Sequence, residues 1–370
     1  MYKLPLEGHA SPEAPEAWRA QLAGAITDLA GLEQAVRLTD AERRGAERAL
    51  TGGFPLSITP YYASLIDPDD PACPIRRQVV PHADEAREVP GDLRDPLGEE
   101  ANEVAAHLVQ RYPDRALLIA TDRCSVYCRF CTRSRMVGNG GGTRSLEALE
   151  PAFLYLAAHP EVQEVIVSGG DPLVMKSERI AQLLARLAAI PHIGDVRVAS
   201  RTPVALPQRI TPELCRALRA HPAVWLMTHF NHPRELTDES RRACALLVDH
   251  GIPVMNHTVL LAGVNDDART LEALFRGLVR TRVRPYYLLQ ADPVRGTGHL
   301  RTPLDVGLTI MAELQGRLSG IALPKLIVDT PNGRGKVPVG PNNIVKHDDG
   351  VTTLRTFRNE LVDYIDPPRS

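Results

Sequence analysis

The chain has 370 residues, 44% of them hydrophobic and 24% charged, with a formal net charge of −2. This supports a sizeable soluble core and offers no basic excess for nucleic acid. No apolar run of about 18 residues exists to cross a membrane. The opening "MYKLPLEGHASPEAPEAW" lacks a secretory apolar stretch, and six cysteines are too few for a disulfide scaffold, so a reducing cytoplasm is expected.

Three regions separate by pattern: 1–110, 111–302 and 303–370. The first opens on charged helical sequence, "EAWRAQLAGAITDLAGLEQAVRL". It continues through the proline-rich "ITPYYASLIDPDDPACPIRRQVVP" and closes on "EEANEVAAHLVQRY", which reads as a helix. From residue 115, short β-branched runs alternate with amphipathic stretches. Strands are predicted at 116–121, 164–169, 196–200, 223–229, 253–261 and 284–290. Segments such as "SERIAQLLARLAAI" and "DESRRACALLVDHG" supply the helices between them, and "GNGGGT" at 138–143 reads as a flexible loop. The last region reads as a helix, a strand "KLIVD" at 325–329, a glycine-rich turn and a strand-like tail.

Such alternation implies a parallel sheet with helical crossovers. Polar chemistry accompanies each strand in turn: clustered cysteines after the first, "SGGD", "SRTP" and "THFNH" after the next three, "NHT" within the fifth and "QAD" at the end of the sixth. Loops that converge on one mouth suit a barrel better than an open doubly wound sheet. The expected fold is therefore α/β, a partial (β/α)6 TIM-like barrel with a helical N-terminal region and a C-terminal extension.

Residues 123–135, "RCSVYCRFCTRSR", hold Cys124, Cys128 and Cys131 in the spacing C-x3-C-x2-C. Three thiolates without a nearby fourth cysteine or histidine suit an iron–sulfur cluster with one open iron better than tetrahedral zinc. Cys215 and Cys244 sit in helical patterns and read as packing residues, while Cys73 is unassigned. Of the chain's five lysines, Lys336 follows "PNGRG", whose glycines let backbone approach a ligand.

The cysteine spacing after the first strand resembles the signature of radical S-adenosylmethionine enzymes, and "SGGDPL" resembles their glycine-rich strand end. "RYPDRALLIATDRCSVYCRFCTR", "VWLMTHFNHPRELT", "VRPYYLLQAD" and "VDTPNGRGKVPVGPN" are similar to the lysine 2,3-aminomutases. The resemblance implies an isomerase that moves an amino group from the α to the β carbon. It uses a 4Fe-4S cluster on Cys124, Cys128 and Cys131, S-adenosylmethionine and pyridoxal 5'-phosphate.

Residue by residue, the resemblance makes Lys336 the catalytic, cofactor-bearing lysine. It assigns Arg111, Arg115, Asn256 and His257 to pyridoxal phosphate, and Ser168, Gly169, Gly170, Asp171, Arg201 and His229 to S-adenosylmethionine. Arg133 matches the carboxylate-binding arginine, whose planar fork suits that group. Asp292 and Asp329 match the two acids that receive the substrate's ε-ammonium. Two neighbouring buried carboxylates want a cation between them, which argues for a basic substrate and against glutamate.

The chain also departs from the family pattern. Arg334 stands where the lysine enzymes have glycine, and "PVRGTGHLR" after Asp292 is unusual, so arginine or another cationic amino acid is the alternative substrate. His257 stands where the pattern has glutamine. Asp267 replaces a cysteine that some members give to an interfacial zinc, and the sequence ends before their cysteine-bearing tail, so no zinc is expected. An electron donor such as flavodoxin or ferredoxin is expected, with a homo-oligomer possible and neither nucleic acid nor membrane as partner. A non-enzymatic alternative is an iron–sulfur binding or sensing protein on this scaffold.

Overall fold

Seven parallel strands form the centre of the computed structural model, which describes residues 17–138 and 141–367. They are β3 (Arg115–Thr121), β4 (Glu164–Gly169), β5 (Asp195–Ala199), β6 (Val224–Thr228), β7 (Val254–Leu260), β8 (Val283–Gln290) and β9 (Lys325–Thr330). Each pairs in parallel with the next. The six predicted strands are all present, and the strand predicted at 325–329 joins them as β9, making the parallel series seven.

Antiparallel strands complete both edges. β1 (Glu103–Ala105) and β2 (Leu108–Tyr112) precede β3, and β10 (Gly335–Val339) follows β9, giving a ten-stranded sheet in sequential order. The helix expected over 99–112 is therefore a hairpin. Leu108 and Val109 pair with Leu118 and Leu117, satisfying the exposed edge of β3, and His107 turns the chain at φ 65°. Tertiary pairing overrides the local helical propensity of this alanine-rich stretch.

Helices cover the outer face by apolar stripes of helical period. In Ala268–Arg280 the buried residues include Leu271, Leu274, Phe275 and Leu278, spaced i, i+3, i+4, i+7. Asp267 caps that helix by accepting from the Thr270 N–H at 2.9 Å. Cys215 and Cys244 are buried in the helices Pro212–Leu218 and Asp238–Asp249. Among the described residues, no helix is long and apolar enough to cross a membrane.

The N-terminal region is pinned by one fully buried guanidinium. Arg76 donates to both Glu42 oxygens at 2.7 Å and to the Pro68 and Arg37 carbonyls at 3.0 and 2.6 Å. Against burial, which would raise it, these bonds hold the Glu42 carboxyl below its ordinary value. At the other end, β11 (Ile344–Asp348), β12 (Val351–Arg355) and β13 (Leu361–Ile365) form a separate antiparallel sheet.

Candidate active site

Strand alternation fills the lumen of the partial barrel with side chains from every second position. Glu164, Ile166 and Ser168 of β4 and Arg197 and Ala199 of β5 line one cavity of about 590 Å³, with Lys336 and Asp329 at its wall.

Lys336 is brought there by the β9–β10 hairpin. The turn needs left-handed backbone at Asn332 (φ 62°) and Gly333 (φ 72°), and Gly335 follows at φ 102°. The resulting register sets Lys336 opposite Asp329, and the Lys336 ammonium pairs with the Asp329 carboxylate. The Lys336 N–H donates to the Tyr112 hydroxyl at 2.8 Å, tying the hairpin to β2. Arg111 approaches Asp329 at 3.5 Å and donates to the Leu97 carbonyl at 3.0 Å. Burial first, and then the Asp329 charge, push the Asp292 carboxyl up to about 7, with Lys336 and Arg111 opposing.

Arg133 also lines the cavity, and its fork is occupied. Its Nε donates to Glu99 at 2.8 and 3.1 Å, and its Nη1 to the Ser168 hydroxyl at 3.1 Å. Arg135 grips the same carboxylate at 3.0 Å. Burial opposes ionisation of Glu99, yet the two arginines hold its carboxyl below the ordinary value.

The cysteine loop begins two residues after β3 ends. The Arg133 N–H donates to Cys131 Sγ at 3.4 Å, and Arg201 Nη1 reaches Cys128 Sγ at 2.7 Å. Arg201 is itself held by the Tyr62 hydroxyl and Glu235, each at 2.8 Å. Burial, then the neighbouring Asp171 and Cys131 charges, raise the Cys124 thiol well above its usual range. Burial and Cys128 push Cys131 up to about 12. The glycine-rich end of β4 abuts this loop: the Gly170 N–H donates to the Thr121 carbonyl at 2.7 Å, and the Asp171 N–H to that of Arg123 at 2.7 Å.

Several expected contacts are spent elsewhere. Asn256 points to the opposite side of β7 from Met255 and His257. Its amide exchanges bonds with the Phe230 backbone at 2.7 and 3.0 Å, so it is not among the cavity lining. Asp171 accepts from Ser200, the Arg201 N–H and the Leu173 N–H at 2.6, 2.9 and 3.0 Å, and serves as a buried pin between loops. Arg115 lines the cavity but pairs with Asp114 at 2.7 Å. Arg334 is exposed and lies outside the lining, and Asp292 too is outside it, within electrostatic reach of Asp329 and Lys336.

Sequence reasoning missed Glu99 and Arg197. The signal for Arg197 was present: an arginine alternating with buried valines in "DVRVA" must face the lumen. Glu99 carried no local signal, because only the fold brings it to Arg133.

Three groups fit the residues in place. Three thiols within electrostatic reach of one another suit an iron–sulfur cluster. The bare Gly169–Gly170 backbone and the buried, unpartnered His229 Nε2 beside Phe130 suit S-adenosylmethionine against that cluster. Lys336, Arg115, Arg197 and the unpartnered His257 Nε2 suit an aromatic aldehyde bearing a phosphate. Burial, with Lys336 and Arg197 nearby, pushes the His257 imidazole down to about 3, so it faces such a ligand neutral.

The sequence profile of the radical SAM superfamily matches residues 118–274, and that of lysine-2,3-aminomutase matches residues 311–370. The L-lysine 2,3-aminomutase of Clostridium subterminale is 44% identical over 350 residues, covering 95% of this chain and 84% of that one. That of Acetoanaerobium sticklandii is 43% identical over 359 residues, covering 97% and 86%. The glutamate 2,3-aminomutase of Clostridioides difficile is 39% identical over 351 residues, covering 95% and 83%.

Proposed function

The chain belongs to the lysine 2,3-aminomutase family, and we propose that it converts L-lysine to β-lysine. When bound, the cluster with S-adenosylmethionine supplies a hydrogen-abstracting carbon radical, and pyridoxal phosphate supplies the π-system across which nitrogen migrates. Cys124, Cys128 and Cys131 hold the first, and His229 with the Gly169–Gly170 backbone holds the second. Lys336 anchors the third, with Arg115, Arg197 and His257 along its length.

The remaining roles fall to charged side chains in and beside the cavity. Lys336 must shed a proton before its amine can act, and the Asp329 carboxylate beside Nζ relays it to solvent and is left ionised. With the lysine charge gone, Asp329 and Asp292, which lie within electrostatic reach of each other, take the substrate ε-ammonium. Arg133 receives the substrate carboxylate, steadied by Glu99 and Ser168.

The carrying observation is the Asp292–Asp329 pair. A glutamate-processing relative lies almost as near in sequence, so overall identity does not choose the side chain, whereas a second acid within reach of the Asp329 charge favours a cationic one. The exposed position of Arg334 favours lysine over arginine as well. The test is anaerobic product analysis by mass spectrometry, offering lysine, arginine, ornithine and glutamate in turn to reconstituted enzyme. β-Lysine as the main product is expected; turnover of glutamate alone would overturn the reading.

We place the enzyme in a reducing cytoplasm, in keeping with six free cysteines. A second copy of the chain is the partner we assign to the sheet β11–β13, where Leu361, Val362, Tyr364 and Ile365 are 50–77% exposed. Light scattering on the full chain would reveal a monomer if this is wrong.

A further inference from the structure

Arg201 follows β5, and its buried guanidinium is divided between a sulfur and a carboxylate. Nη1 donates to Cys128 Sγ at 2.7 Å. Nη2 donates to the Tyr62 hydroxyl and the Glu235 carboxylate, each at 2.8 Å, and to the Gln78 side-chain carbonyl at 2.5 Å. The rings of Tyr62 and Phe130 lie 5.2 and 5.4 Å from the same cation. The family resemblance gives this arginine to S-adenosylmethionine, yet both of its end nitrogens are occupied within the protein.

The frame around the cation comes from separate parts of the chain. Tyr62 lies in the helix Pro60–Ala63, Gln78 in the helix Pro74–Val79, and Glu235 ends the short turn Pro233–Glu235. All three are fully buried. Glu235 Oε1 also accepts from the Tyr62 hydroxyl at 2.6 Å, and its Oε2 from the Asn231 and His232 N–H groups at 2.6 and 2.8 Å. The Asn231 amide donates to Gln78 at 3.0 Å, which closes the network. A buried cation needs such a carboxylate, but it does not need a sulfur. Here the bond to Cys128 belongs to the cation, with the carboxylate beyond it. Cys131 receives the Arg133 backbone N–H at 3.4 Å, a longer and uncharged bond.

We propose that Arg201 is a positioning residue that sets the reduction potential of the cluster, and that Glu235 and Gln78 moderate its charge. The proposal rests on reading Cys124, Cys128 and Cys131 as cluster ligands. A charged N–H···S bond draws electron density from the sulfur, and the cation stabilises the more negative, reduced cluster. Both effects raise the potential. Glu235, on the other end nitrogen, offsets part of that rise. Tyr62 and Gln78 thereby give the N-terminal region a share in chemistry that it does not touch. The couple is a one-electron reduction of the cluster by an external reductant, in which no bond forms or breaks.

The test is a redox titration of the full-length reconstituted protein with dithionite, followed by electron paramagnetic resonance without lysine or S-adenosylmethionine. At a fixed potential, the ratio of reduced to oxidised cluster should fall about tenfold or more in Arg201→Gln. It should rise in Glu235→Gln, which frees the cation of its counter-charge. Gln78→Glu adds an anion beside the guanidinium and should lower the ratio; it replaces Arg201→Gln if that variant fails to keep its iron. Arg201→Lys keeps the charge without the fork and should lie between Arg201→Gln and the unsubstituted protein. A purely structural network would change iron content without moving the potential in opposite directions. Unchanged potentials, or shifts of one sign in Glu235→Gln and Gln78→Glu, overturn the proposal. An unsubstituted protein that assembles no four-iron cluster overturns the cysteine reading and the proposal with it. A cluster that titrates as expected in a protein forming no product counts against the aminomutase reading alone.

Discussion

Lys336 and Asp329 stand opposite each other across the β9–β10 hairpin, with ammonium and carboxylate in contact. The pairing follows from strand register, and the glycine-rich turn sets that register. Lys336→Ala should remove the visible absorbance of bound pyridoxal phosphate and lower turnover more than about a thousandfold. Absorbance titration with the cofactor checks this; an unchanged spectrum would assign the cofactor to another amine.

Asp292 gives the site a pH dependence with a definite sign. Its carboxyl is raised to about 7, so below that pH the resting site holds it neutral, and a cation binds a neutral acid poorly. Losing the Lys336 charge to the cofactor would raise it further. The KM for lysine should therefore rise as pH falls through about 7, and Asp292→Asn should raise KM and flatten the profile. The same shift makes the ligand-free fold lose stability as pH climbs from the carboxylate range towards 7, because the unfolded chain ionises Asp292 first. Steady-state kinetics against pH, paired with urea titrations, test both halves.

Glu99 sits between Arg133 and Arg135, with its side chain 4% exposed. Glu99→Ala leaves two largely buried guanidiniums without this partner, and should cost about 3–5 kcal/mol of stability. Arg133→Lys keeps the charge but loses the fork, and should raise KM for lysine roughly tenfold or more while the fold survives. A denaturant midpoint for the first variant and kinetics for the second separate support from substrate contact.

Gly170 packs against the cysteine loop more closely than any side chain allows. A Cβ there would lie 2.4 Å from the Arg123 carbonyl oxygen, which is backbone and cannot swing away. Gly170→Ala should cost about 1–3 kcal/mol and lower the iron bound after reconstitution. Iron and sulfide analysis beside thermal unfolding measures both effects.

The barrel was readable in the sequence because buried parallel strands advertise themselves as β-branched runs between amphipathic helices. The cysteine spacing and Lys336 were readable because their chemistry is concentrated in short stretches. The hairpin over 99–112 was not, since its strand state comes from pairing with Leu117 and Leu118 rather than from its own residues. Glu99 shared that fate. Asn256 and Asp171 matched the family wording, yet their polar atoms are used to fasten Phe230 and the loop after β5.

The most direct measurement follows lysine labelled with heavy nitrogen on its α-amino group through anaerobic turnover by the reconstituted enzyme. The account predicts product carrying the heavy nitrogen on the β carbon, formed only when S-adenosylmethionine and pyridoxal phosphate are both supplied. Heavy nitrogen remaining on the α carbon, with the cluster intact and the cofactor bound to Lys336, would contradict it.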